Sequence, residues 1–155
     1  MTLARSAVAT EPTEGSLLVT RSRLRAFATA TGQTDPTYTD VRAANRAGHR
    51  DLPVPPTFYF GVDLEAPDPL AFLTDLGVDL STVLHAEQEF VYTDMAYAGD
   101  ELTSSTRITD VFDKKDGALE FVVRETLVTN RHGAVIAQMR SMTVVQNKAA
   151  GKDAS

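Results

Sequence analysis

The chain has 155 residues, 43% of them hydrophobic, which suits one domain with a core that needs no crosslinks. It contains no cysteine, which excludes thiolate nucleophiles, disulfides and cysteine-held zinc or iron–sulfur centres, and its net charge of −6 makes it a poor partner for nucleic acid. No apolar run has the length of a signal peptide or a membrane span, and His49, His85 and His132 share no metal-ligand spacing, so a soluble cytoplasmic protein without metal or other cofactor is expected.

Residues 1–15 and 147–155 are small, polar and unpatterned and are expected to be flexible tails around a domain at 16–146. Leu17, Leu18 and Val19 form a short apolar run suited to a strand. Ser22 can cap a helix that carries Leu24, Phe27 and Ala28 on one face and ends at Gly32. Asp35-Pro36 forces a turn, and Asp40 can cap a second short helix through Val41, Ala44 and Ala47 that stops at Gly48.

Val54-Pro55-Pro56-Thr57 cannot lie inside a helix, but proline is favoured at the first helical position. A helix is therefore predicted to begin near Pro56 and run through Phe58, Tyr59, Phe60, Val62 and Leu64. Its apolar residues go almost all the way round, as in a helix buried on every side. Pro67 and Asp68-Pro69 break it, and another short helix from Pro69 to Leu76 is closed by Gly77.

From Val83 the period changes to two. Leu84, Ala86, Phe90 and Tyr92 alternate with His85, Glu87, Glu89 and Thr93, which predicts a strand that buries the first set. Gly99-Asp100 turns the chain into a second strand with Leu102, Ile108 and Phe112 in phase. Lys115-Asp116-Gly117 reads as a hairpin, and Leu119, Phe121, Val123 and Leu127 as a third strand. A turn from Asn130 to Gly133 leads to a fourth strand from Val135 to Val145. Together these elements predict an α+β hot-dog fold, an antiparallel sheet wrapped around a central buried helix. Its uncovered sheet face or edge calls for a second subunit.

The stretch Gly32-Gln33-Thr34-Asp35-Pro36-Thr37-Tyr38-Thr39-Asp40, with Gly48-His49, the Pro55-Pro56-Thr57-Phe58 helix start and the late Ala98-Gly99-Asp100, resembles the MaoC-like hot-dog dehydratase and hydratase family. The likeness is to its N-terminal-type branch and extends over about residues 16–146. In that family the motif reads roughly G-D-x-N-P-x-H, and its Asp and His activate water for addition to an enoyl thioester or remove the proton in the reverse dehydration. Gly32 and Pro36 agree with the pattern, Asp35 stands for the Asn, Gln33 for the Asp and Tyr38 for the His. Neither an amide nor a phenol with an ordinary pKa of about 10 is a good base at pH 7.

The resemblance implies (R)-3-hydroxyacyl-thioester dehydratase or enoyl hydratase work in fatty-acid metabolism, on acyl-CoA or acyl-carrier-protein thioesters, as a homodimer or a heterodimer with a second hot-dog subunit. It also leaves open a non-catalytic subunit that holds a long acyl chain for an active partner, or a hot-dog thioesterase. Gln33, Tyr38 and His85 are the catalytic candidates, His85 because an imidazole titrates near neutral pH and stands on the polar phase beside Glu87. Asp35, His49, Pro56, Thr57, Phe58 and Tyr59 are the substrate-binding candidates. Thr57 and Phe58 are expected to offer backbone N–H donors at the helix start, where a thioester carbonyl could be polarised. Phe58, Tyr59 and Phe60 would also line an apolar tunnel, whereas His132 reads as plain surface.

Overall fold

The computed structural model describes Leu3, Val8 and residues 11–147, so most of the two expected tails lies outside the described residues. Five strands, β1 (Thr13–Leu18), β2 (Val83–Tyr92), β3 (Glu101–Lys114), β4 (Leu119–Asn130) and β5 (Val135–Gln146), form one sheet in the order β1-β3-β4-β5-β2. Every neighbouring pair is antiparallel. The helices are α1 (Arg21–Ala30), α2 (Val41–Arg46), α3 (Phe60–Asp63) and α4 (Ala71–Thr74). Among the described residues no helix is long and apolar enough to cross a membrane.

β1 begins inside the expected N-terminal tail, with Thr13 opposite Thr106. Leu3 is buried as well, and its N–H is donated to Glu120 Oε1. Thr20, not Ser22, caps α1: its Oγ1 accepts from the Arg23 N–H at 3.2 Å, while Ser22 lies inside the first turn. The helix ends as expected at Gly32, whose φ of 69° only glycine adopts without strain. Asp35 and Asp40 accept from the N–H of Thr37 and Arg42 at 2.9 and 2.8 Å, so each starts the short helical turn that follows it.

The predicted central helix opens as a 3-10 turn over Pro56–Tyr59 and continues as α3. It is not apolar on every side. Phe58, Tyr59 and Val62 are buried, Pro56, Thr57 and Leu64 are exposed, and the buried set includes a carboxylate, Asp63. The helix lies close on β1, because a Cβ at Gly15 would come within 2.5 Å of the Val62 carbonyl oxygen. Val62 packs with Leu17, Leu24, Leu102, Val128 and Ile136 in the main core. A second cluster joins Leu73 of α4 to Ile108, Val111, Val122 and Val145.

Three strand phases differ from the sequence reading, each for a local reason. β2 is an edge strand with little cover on either face, so Leu84 and Tyr92 of the expected buried set are 53% and 46% exposed. A bulge between His85 and Glu87 moves His85 onto the helix-facing side together with Phe90 and Tyr92. A second bulge between Ile108 and Asp110 buries Val111 in place of Phe112. In β4 the helix-facing residues are Val122, Arg124, Thr126 and Val128, and Leu127 points away, 38% exposed. Phe121 and Val123 are buried too, so that half of the strand carries no clean alternation. The whole is the expected α+β arrangement, an antiparallel sheet around a central helix.

Candidate functional site

Gln33, Asp35 and Tyr38 stand on the connection between α1 and α2, and the turn itself uses their polar groups. The Gln33 N–H donates to the Ala28 carbonyl at 2.8 Å, and Gln33 Oε1 accepts from the Asp35 N–H at 3.0 Å. Hydrogen bonds from Thr37 hold the Asp35 carboxyl below the ordinary carboxylate value. Gln33 and Asp35 are exposed and Tyr38 is half-buried.

The lead-in to the central helix is tied to the loop after β2. Val54 N–H donates to the Ala96 carbonyl and Ala98 N–H to the Leu52 carbonyl, both at 2.9 Å. Beside this ladder His49 Nδ1 lies 3.4 Å from Tyr97 Oη. The Arg50 guanidinium sits 4.5 Å above the Tyr97 ring and donates to both Asp100 oxygens at 2.6 Å. Arg21 clamps Asp51 through Nε at 3.0 Å and Nη2 at 2.7 Å, which depresses the Asp51 carboxyl. Arg50, Tyr97 and Asp100 also line a surface cavity of about 410 Å³ with His132, so the residue read as plain surface borders a cleft.

Of the two expected backbone donors at the helix start, Phe58 is occupied, its N–H donating to the Pro55 carbonyl at 3.1 Å. That leaves Thr57, whose predecessors Pro55 and Pro56 carry no N–H. The Phe58 ring meets Phe27 edge-on at 5.4 Å. Tyr59 Oη accepts from the Ala96 N–H at 3.4 Å, and burial pushes the phenol up to about 12. Its ring lies 5.9 Å from Tyr92, which stacks on Phe90.

His85 meets Phe60 edge-on, with ring centroids 5.6 Å apart, on the exposed flank of β2. The expected pairing with Glu87 does not occur, because the bulge sends Glu87 to the opposite face, where it lies 3.5 Å from Arg140 Nη1. Among the described residues no hydrogen bond or ring contact joins His85 to Gln33, Tyr38 or His49. The candidates thus fall into three places: the turn after α1, the start of the central helix with His49 nearby, and the β2 flank.

Sequence reasoning missed a polar cluster beneath the central helix. Arg124 Nη1 lies 3.3 Å from Asp63 Oδ2, Thr106 Oγ1 donates to Asp63 Oδ1 at 2.6 Å, and Thr106 and Thr126 hydroxyls are 2.8 Å apart. The Phe72 ring covers the Arg124 guanidinium at 3.8 Å. Burial pulls the Arg124 guanidinium below its ordinary value, against the pull of Asp63. A charge inside the Val122-Val123-Arg124 run and another inside the apolar central helix were the available signals, since buried charges come in pairs.

Comparison with known proteins agrees with this architecture. The chain is 38% identical over 129 residues to the UPF0336 protein Lxx02810 of Leifsonia xyli subsp. xyli, covering 83% of this chain and 85% of that one. The C-terminally truncated HadBC (3R-hydroxyacyl-ACP dehydratase) complex of Mycobacterium tuberculosis contains a chain that superposes with a TM-score of 0.74 at 23% identity, covering 91% of this chain and 99% of that chain. A MaoC-like dehydratase of Rhodospirillum rubrum superposes at 0.67 with 18% identity, covering 90% and 92%. At those identities the two structures establish the shared hot-dog fold. The family described as FAS1-like, dehydratase domain region, matches residues 6–139, and the chain belongs to that family.

Proposed function

We propose that this chain serves (R)-3-hydroxyacyl-thioester dehydration, or the reverse enoyl hydration, as the subunit that binds the acyl thioester beside a second hot-dog subunit that carries the acid–base pair. Dehydration needs a base to take the C2 proton and an acid to protonate the departing C3 hydroxyl, so that water leaves and the C2–C3 double bond forms. The observation that carries the reading is Gln33. It stands where the family has its Asp, it has no proton to exchange near neutral pH, and its Oε1 is occupied by the Asp35 N–H. The Tyr59 phenol, at about 12, stays protonated and is no base either.

What the chain offers is a binding surface. The Thr57 N–H is the donor for the thioester carbonyl, and Phe58, Tyr59 and Phe60 supply an aromatic wall beside the open edge of β2. That edge supports pairing with a second sheet, coenzyme A or a carrier protein being the thioester's other half. The description of HadBC as a complex supports the same arrangement.

His85 favours a second reading, a self-sufficient hydratase, because it faces the central helix at an accessible flank and an imidazole can carry a proton. Hydration of short and long enoyl-CoA by the purified chain, followed by loss of enoyl-thioester absorbance, separates the two. Saturable binding without turnover is expected. Turnover abolished by His85→Ala establishes the second reading, and neither binding nor turnover overturns both.

A further inference from the structure

The sheet face that points away from the central helix carries charges that alternate in sign. Register makes Arg124, Ser141 and Gln88 a polar layer on the helix side of β4, β5 and β2, so their chain neighbours Glu125, Arg140 and Glu89 point outward. Arg107 of β3 stands opposite Glu125 and completes a rung that reads Glu89, Arg140, Glu125, Arg107 across four strands. Glu89, Glu125 and Arg107 are exposed, and among the described residues none of the three enters an ion pair, although each has an opposite charge as its cross-strand neighbour. Arg140 pairs with Glu87 at 3.5 Å. The adjoining rung, Val91, Gln138, Leu127 and Ser105, is uncharged and leaves Val91 53% and Leu127 38% exposed. Both rungs border a surface cavity of about 450 Å³.

We propose that this face packs against the same face of a second copy of the chain, about a two-fold axis that runs along the strands between β4 and β5. A two-fold contact makes a patch meet itself. With the axis along the strands the rung is reversed on its partner, so Glu89 lies opposite the partner's Arg107 and Arg140 opposite the partner's Glu125, each pair occurring twice. With the axis along the rung, like charge meets like, so the alternation selects one of the two face-to-face arrangements. A uniformly acidic or basic partner would meet two wrong charges here, whereas the row read backwards is its own complement. Stacked sheets lie about 10 Å apart, near enough for Glu and Arg side chains from both to meet, and Val91 and Leu127 leave water in the process. Exposed ion pairs are weak singly, so the contact is reversible and sensitive to salt. It uses a face and not the bare β2 edge, which stays open to a second hot-dog subunit, and it is independent of the acyl-thioester reading.

The test is sedimentation equilibrium of the full-length protein over rising concentration. The parent is expected to double its dilute-solution mass at low salt and to lose that gain at high salt. Arg107→Glu puts like charge opposite Glu89 twice in each pair of copies and is expected to weaken the association at least about tenfold. Glu89→Arg should do the same alone, and an equimolar mixture of the two variants should recover the parent's affinity. Positions 89 and 107 lie three strands apart in one chain, about 14 Å and beyond a Debye length at physiological ionic strength, so recovery requires two chains. Circular dichroism checks each fold, and should Arg107→Glu not fold, Arg107→Gln is expected to weaken association about threefold. A parent that keeps one mass at every concentration overturns the proposal. So does an Arg107 variant that associates as the parent does, which would place the contact at the β2 edge, and so does a mixture no better than its components.

Discussion

Asp63 and Arg124 meet at 3.3 Å with side chains only 6% and 10% exposed, so the central helix is fastened to the sheet by an ion pair as well as by packing. Removing one partner strands the other in a site with little water. Arg124→Ala is expected to cost about 3–5 kcal/mol, whereas the apolar double replacement Asp63→Leu/Arg124→Met should be close to neutral. Urea unfolding of both variants beside the parent checks the asymmetry.

Gly15 provides the second hold on that helix. A methyl group there collides with the Val62 carbonyl at 2.5 Å and the Ser104 hydroxyl at 2.9 Å, so β1 or the helix must shift. Gly15→Ala should destabilise by about 1–3 kcal/mol, the usual cost of overpacking, read as a lower thermal midpoint.

Tyr59 is expected to stay protonated well beyond the ordinary range of a phenol. Spectrophotometric titration of the 4 tyrosines should give the parent and Tyr59→Phe the same tyrosinate absorbance up to about pH 11, with the parent rising above the variant beyond it. Tyr59→Phe also leaves the buried Ala96 N–H without its acceptor and should cost about 1–3 kcal/mol.

Acid sensitivity follows from Asp51, whose carboxyl the Arg21 hydrogen bond depresses. A carboxyl lowered in the folded chain stabilises it above the unfolded value of about 3.9, and that stability drains away as pH falls through the folded value. Stability is therefore expected to drop as the medium is acidified below about pH 4, and Asp51→Asn should flatten this part of the curve while lowering stability at neutral pH. Denaturant midpoints taken across that range for both proteins are the check.

Restoring the family's acid–base pair should restore chemistry if the binding surface is of hydratase type. Gln33→Asp/Tyr38→His is expected to hydrate crotonyl-CoA measurably above the parent. A folded double variant with no gain would count against that origin for the pocket.

The turn chemistry and the order of elements were legible because they depend on single residues with strong local preferences. Asp35, Asp40, Gly32 and Gly48 do in the structure what their side chains or φ angles dictate. The strand faces were less legible. Alternation reports burial only while the register holds, and the bulges after His85 and Ile108 break it. The first break brought His85 to the helix side, and the polar layer stayed hidden because Arg124 and Gln88 count as surface residues in any pattern that treats charge as exposure. Phe58 was misread as a free donor for a similar reason: the tight 3-10 turn claims an N–H that an α-helical first turn would leave open.

β2 ends the sheet with an unpaired backbone rim and with Leu84 and Tyr92 uncovered beside it. Such a rim is adhesive toward any extended chain, its own copies included. A second sheet laid along that rim would complete its ladder and take Leu84 and Tyr92 out of water, so capping and aggregation are competing outcomes for a bare β2.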